Sequence, residues 1–145
     1  RQNLPVFDRT KFGSVDGVAR GAYILKEASK SPQLILMATG SEVSLAVESA
    51  QALEESGIAT RVVSIPCFEW FNQQSQTYKD EVLPPSVKAR VSIEAGISQG
   101  WREYVGDAGA CVSLEHYGAS ADAKRLFKEF GFSVDNVVAQ VKKAI

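Results

Sequence analysis

The sequence predicts a three-layer α/β/α fold around a five-stranded, mostly parallel sheet with one antiparallel edge strand. Three observations carry this. Segments of strand character alternate with segments of helical period, the pattern of folds whose crossovers return each strand parallel to the last. The run LILMA at residues 34–38 is apolar at every position, as in a strand covered on both faces. The run RVVSI at residues 61–65 is rich in β-branched side chains and stops at Pro66, whose missing N–H cannot join a central ladder.

Residues 1–13 mix Pro5, charges and glycine without a period and read as an arm from a preceding domain, with the domain proper at residues 14–145. A helical turn is expected around residues 15–19 and a first strand at residues 21–25. The short polar break at Ser31 and Pro32 predicts that this strand turns back as a hairpin with residues 34–38, which makes it the antiparallel edge. Residues 42–56 then place Val43, Ala46, Val47, Ala50 and Leu53 on one helical face, with Ser41 as the expected N-cap and Gly57 as the C′ residue. After the strand at residues 60–65 comes an aromatic segment with Phe68, Trp70 and Phe71. A short helix at 78–83 is ended by Pro84 and Pro85. Residues 89–94 alternate as a fourth strand, Trp101, Tyr104 and Val105 mark a short helix, and residues 110–114 supply the fifth strand. Two helices close the chain: residues 122–130, with Leu126, Phe127 and Phe130 on one face, and a Ser133-capped helix with the stripe Val134, Val137, Val138 and Val141.

The 145 residues, 45% of them apolar, fit one domain, large enough to bury about two-thirds of the surface its unfolded chain exposes. Sixteen basic and seventeen acidic residues intermix, so no basic face for nucleic acid and no acidic tail stands out. Cys67 and Cys111 have neither zinc-site spacing nor the density of a disulfide scaffold, and are expected to be reduced, buried thiols of a cytosolic protein. No apolar run approaches the ~18 residues of a membrane span, so a soluble protein is expected. Met37, the only methionine, sits inside a strand, and the chain is therefore expected to continue upstream.

Few residues suggest chemistry. The turn at Thr39, Gly40 and Ser41 joins a strand to a helix, a geometry that presents backbone N–H groups to an anion, but it holds a single glycine and lacks both common phosphate fingerprints. It reads either as a tight turn or as an anion site, and Glu42 at its helical end would repel a phosphate. His116, the only histidine, follows the last strand, where open sheets take ligands, and is expected to make a rim or interface hydrogen bond. Glu69, Glu94, Asp107, Glu115 and Asp122 show no spacing that pairs any two, and surface exposure and capping account for them. Phe68, Trp70, Phe71 and Tyr78 read as satellite core or interface.

Taken in order, RQNL at residues 1–4, GAYIL at 21–25, ATGSEV at 38–43, RVVSIP at 61–66, VSIEAGI at 91–97, and YGASAD at 117–122 with FGFSVDNVV at 130–138 resemble the C-terminal domain of transketolases. The match spans the whole chain, and the opening RQNL favours transketolases over other thiamine-dependent relatives. The resemblance implies a parent enzyme, a cytoplasmic homodimer of the pentose phosphate pathway, that transfers a two-carbon ketol unit from ketose phosphates to aldose phosphates. It implies that thiamine diphosphate and a divalent cation, Mg or Ca, are held upstream of this chain, between the first and middle domains of opposite subunits. This domain is then non-catalytic and supports the dimer and the substrate-phosphate end of the site, with no catalytic, cofactor or metal residue of its own and with neither nucleic acid nor membrane as partner. Arg1 matches the arginine that contacts the substrate's terminal phosphate. The competing reading is a stand-alone regulatory module that binds phosphometabolites or nucleotides at the Thr39–Gly40–Ser41 turn.

Overall fold

A computed structural model of the chain describes residues 4–145; Arg1 lies outside them. Five strands form one sheet in the order β1-β3-β2-β4-β5: β1 (Tyr23–Lys26), β2 (Leu34–Ala38), β3 (Thr60–Ser64), β4 (Arg90–Ile93) and β5 (Ala110–Val112). β2 pairs in parallel with β3 on one edge, Leu36 opposite Val62, and with β4 on the other, Leu36 opposite Val91. β5 extends the parallel set beyond β4.

The hairpin expected between residues 21–25 and 34–38 does not form. Both edges of β2 are taken by parallel neighbours, so β1 pairs instead with the far edge of β3, antiparallel, with Tyr23 opposite Ser64. It is still the antiparallel edge strand, reached across the sheet rather than through a turn. An irregularity between Ile24 and Lys26 breaks its ladder, and Gly13 donates its N–H to the Leu25 carbonyl at 2.8 Å, so this edge is partly covered.

Helices cover both faces. On one side α1 (Glu42–Glu55), α5 (Ala123–Glu129) and α6 (Val134–Ala144) enclose Leu36, Ala46, Ala50, Leu53, Val91, Val137 and Val141. On the other, α2 (Phe68–Asn72), α3 (Gln76–Val82), a 3-10 turn at Ser98–Trp101 and α4 (Arg102–Val105) enclose Ile35, Met37, Val63, Phe71, Val82 and Trp101. Another 3-10 turn, Val15–Arg20, precedes β1 and is capped by the Ser14 side chain. The all-apolar pattern of β2 follows from its place: even positions feed one core and odd positions the other.

Chemistry at the helix ends matches the sequence in most places. The C-terminus of α1 closes as a Schellman motif, in which Gly57 (φ +88°) donates to the Glu54 carbonyl at 2.9 Å and Ile58 to that of Leu53 at 3.0 Å. Asp122 and Ser133 cap α5 and α6 with their side chains. Ser41 does not cap α1: its backbone is already helical and its hydroxyl donates to Glu42 Oε1 at 2.7 Å. Gly21 (φ +82°) is required where its turn meets α2, because a Cβ there would overlap the Cys67 carbonyl and the Phe71 amide.

Two arginines tie the β3-to-β4 crossover to the sheet. Arg61 forms a bidentate pair with Glu27 (2.9 and 2.8 Å) and donates to the Glu81 and Val82 carbonyls at the end of α3. Burial alone would raise the Glu27 pKa, but the guanidinium outweighs it and holds that carboxyl below its usual value. Arg90 donates to the Leu83, Pro84, Val87 and Tyr104 carbonyls, and burial pulls its pKa below the usual value.

Leu36 is fully enclosed, so Leu36→Ala is expected to cost about 2–5 kcal/mol in denaturant unfolding. A loss well under ~1 kcal/mol would show that β2 is not the covered centre of the sheet.

Candidate functional site at the switch point of the sheet

The connections that follow β2 and β4 leave in opposite directions: α1 leads to β3 on one side, and the turn into α4 leads to β5 on the other. A crevice therefore opens at the carboxyl ends of these two strands, where open α/β sheets receive ligands. Ala38 pairs with Ile93 at the end of the β2–β4 ladder, which sets the Thr39–Gly40–Ser41 turn beside Glu94.

The crevice is acidic. Glu42, in the first turn of α1, is only 4% exposed, and the Ser41 hydroxyl is bonded to its carboxylate. Glu94 Oε2 is sealed from solvent and has no hydrogen-bond partner among the described residues. Burial, reinforced by the Glu42 charge, pushes the Glu94 pKa up to about 7. The expectation that the carboxylates are unpaired and solvated thus fails at Glu94. The partner is Glu42, fifty-two positions earlier in sequence, and only the parallel pairing of β2 with β4 brings the two together.

The Thr39–Gly40–Ser41 turn is a poor anion cradle. Gly40 takes the left-handed conformation (φ +54°) with open space where a Cβ would stand, but the first amides of α1 are engaged: Glu42 N–H donates to Thr39 O at 3.3 Å and Val43 N–H to Gly40 O at 3.4 Å. Two carboxyls beside it oppose a phosphate electrostatically. An open groove of about 560 Å³ lies alongside, bounded by Leu4, Pro5, Ser44, Lys124, Phe127 and Phe132 among others. The arm residues Leu4 and Pro5 thus sit at this end of the domain. Behind them Phe7 packs on Phe12 with ring centres 5.0 Å apart, and both rest on the core.

The other residues singled out by sequence lie apart from the crevice chemistry. His116 is exposed, with Nδ1 2.8 Å from the Tyr117 carbonyl oxygen and its ring edge-on to Phe130, and no nucleophile or carboxylate is bonded to it. Hydrogen bonds from Ser98 and Ser113 hold Glu115 below its usual pKa. Glu69 accepts from the Cys67 thiol at 3.3 Å, Asp122 caps α5, and Asp107 is exposed. Cys67 and Cys111 are free but half-buried rather than buried, since both sit at the margin of the α2–α4 layer. Phe68 stacks on Tyr104 at 4.8 Å and meets Trp101 edge-on at 5.0 Å, Phe71 is core, and Trp70 is 51% exposed.

Among the described residues no three His, Cys, Asp or Glu side chains form a group suited to a metal ion, and no helix is long and apolar enough to cross a membrane. A diphosphate does not fit this crevice, whose turn amides are already bonded and whose flanking side chains are two carboxyls rather than donors.

The architecture is that of an open α/β domain with an acidic switch point. The family model for the transketolase-like C-terminal domain matches residues 21–133, and the chain belongs to that family. It is 50% identical over 150 residues to a transketolase of Mycobacterium tuberculosis, covering 100% of this chain and 21% of the relative. The solved transketolase of Leishmania mexicana superposes with a TM-score of 0.81 at 44% identity, covering 91% of this chain and 19% of that one. A solved transketolase of Pichia stipitis gives 0.88 at 37% identity, covering 99% and 20%. The chain spans about a fifth of the length of the curated relatives it matches.

Inorganic phosphate titrated into the isolated chain is expected to shift the amide resonances of residues 39–43 without saturating up to ~1 mM. A saturable shift well below that concentration would restore the anion-site reading of the turn.

Proposed function

We propose that this chain works as the C-terminal domain of a transketolase, the enzyme that moves a two-carbon ketol unit from ketose phosphates to aldose phosphates in the cytoplasm. The observation that carries this reading is similarity along the full length of the chain, at about half identity, to proteins named transketolase. Thiamine diphosphate, with its divalent cation, would supply the electron sink for breaking and making the carbon–carbon bond, held by parts of a homodimeric parent outside this chain. What this chain adds is position. Leu4 and Pro5 border the groove, and the arm is packed on the core through Phe7 against Phe12, six residues after Arg1. A guanidinium delivered from so short a tether is suited to grip the terminal phosphate of a sugar through paired charge-assisted bonds. Energy from that remote contact places the reacting carbon, which is how binding far from the chemistry raises a rate.

Arg1→Ala in a transketolase carrying this domain is expected to raise KM for phosphorylated donors by about 10–100-fold and to leave unphosphorylated donors nearly unchanged, in steady-state kinetics. Equal losses with both donors would remove the phosphate role from Arg1. The isolated chain is expected to show no saturable binding of thiamine diphosphate with magnesium at micromolar concentration by calorimetry. Such binding would overturn the division of labour proposed here.

A further inference from the structure

We propose that Glu42 and Glu94 form a proton-operated latch across the switch-point crevice: a proton on Glu94 keeps the turn at residues 94–97 closed against the start of α1, and its loss opens that turn to water. The geometry supplies the parts. Glu42 is buried at the start of α1 and fixed by the Ser41 hydroxyl. Glu94 caps the end of β4, with its backbone N–H bonded to Val112 O at 3.0 Å and one carboxyl oxygen sealed without a donor. That carboxyl folds back toward Gly96, where a Cβ would stand 3.6 Å from Glu94 Oε1. Gly96 in turn accepts from the Leu114 N–H at 2.8 Å, which ties the turn to the segment after β5.

A neutral carboxyl tolerates this pocket far better than a carboxylate, which loses solvation on a sealed oxygen and faces a second buried charge. Among the described residues no cation offsets it. From α1 the facing charge is Glu42; in the turns after β4 and β5, Glu115 is held by Ser98 and Ser113, and Arg102 acts on it; α5 lines the adjoining groove with Lys124 and Lys128 and is capped by Asp122; α6 carries Asp135 in its first turn. Of these, only Glu42 acts on Glu94, and it adds to the effect of burial. The carboxyl, ordinarily half-ionised near 4.5, therefore keeps its proton to about 7 in the closed form. The sign follows from linkage: the closed state binds more protons than the open one between these values, so the closed state is favoured below about 4.5, loses ground as pH rises to about 7, and changes no further above it. The latch rests on the crevice alone and not on the transketolase reading, so either can fail without the other.

The test is a carboxyl-carbon NMR titration of the chain together with amide exchange at Leu114 and Glu94, corrected for intrinsic rates. Wild type is expected to titrate at Glu94 near 7 and to open about 60-fold more readily at pH 7.5 than at pH 5. Glu94→Gln, a neutral isostere of the protonated side chain, is expected to stay closed across that range. Glu42→Gln is expected to lower the Glu94 midpoint while leaving it above 4.5, since burial remains. A Glu94 midpoint at the ordinary carboxyl value, or an undiminished pH step in Glu94→Gln, would overturn the latch.

Discussion

Everything in this domain depends on the enclosure of β2. Its residues Leu34, Ile35, Leu36, Met37 and Ala38 have no measurable exposure, so the strand must be covered on both faces and paired on both edges. That requirement alone dictates helices on two sides, β3 and β4 as neighbours, and β1 displaced to the far edge of β3. It also creates the switch point, because a central strand whose successor lies on one side must have the later strands on the other.

A sheet so enclosed leaves a difficulty at its amino-terminal end, where the chain returns from α3 through Pro84 and Pro85 with carbonyls to which no ladder N–H donates. Arg61 and Arg90, the residues at the amino ends of β3 and β4, answer it by donating to the carbonyls of Glu81, Val82, Leu83, Pro84 and Val87. Arg61 is matched by Glu27, whereas Arg90 works through carbonyl dipoles. Fixed fork geometry makes arginine suitable for this and lysine unsuitable. The carboxyl end of the sheet, in contrast, carries acid groups and the arm, so the two ends of one sheet divide into a structural end and an end open to chemistry.

How much of this was legible in sequence follows from the range of the interactions involved. Strand and helix identities rest on local periodicity, and the segments around β2, α1, β3 and α6 show it plainly. The Gly57 terminus and the Ser133 cap are equally local. The partner of β1 was not legible, because a short polar break favours a hairpin unless one knows that both edges of β2 are already filled. Nor was the Ser41 hydroxyl's choice of Glu42 over the helix amides, which depends on a buried acceptor next to it. The Glu42–Glu94 pair escaped for the same reason as the hairpin failed: it exists only through strand order. Arg1 stood out through resemblance alone, since composition makes it an ordinary terminal residue.

The acid pair also explains why a fold so often used to hold phosphates is here poorly suited to them. An anion at a strand-to-helix turn needs free amides and a positive field, and this turn has bonded amides, a buried carboxylate in the first turn of α1 and a second carboxyl across the crevice. If Glu94 is neutral, one negative charge remains; if it ionises, the crevice carries two. In neither state is phosphate favoured over water. The sheet anchors the arm through Phe7 and Phe12, which rest on its core, and the acid groups in the crevice disfavour an anion at the neighbouring turn.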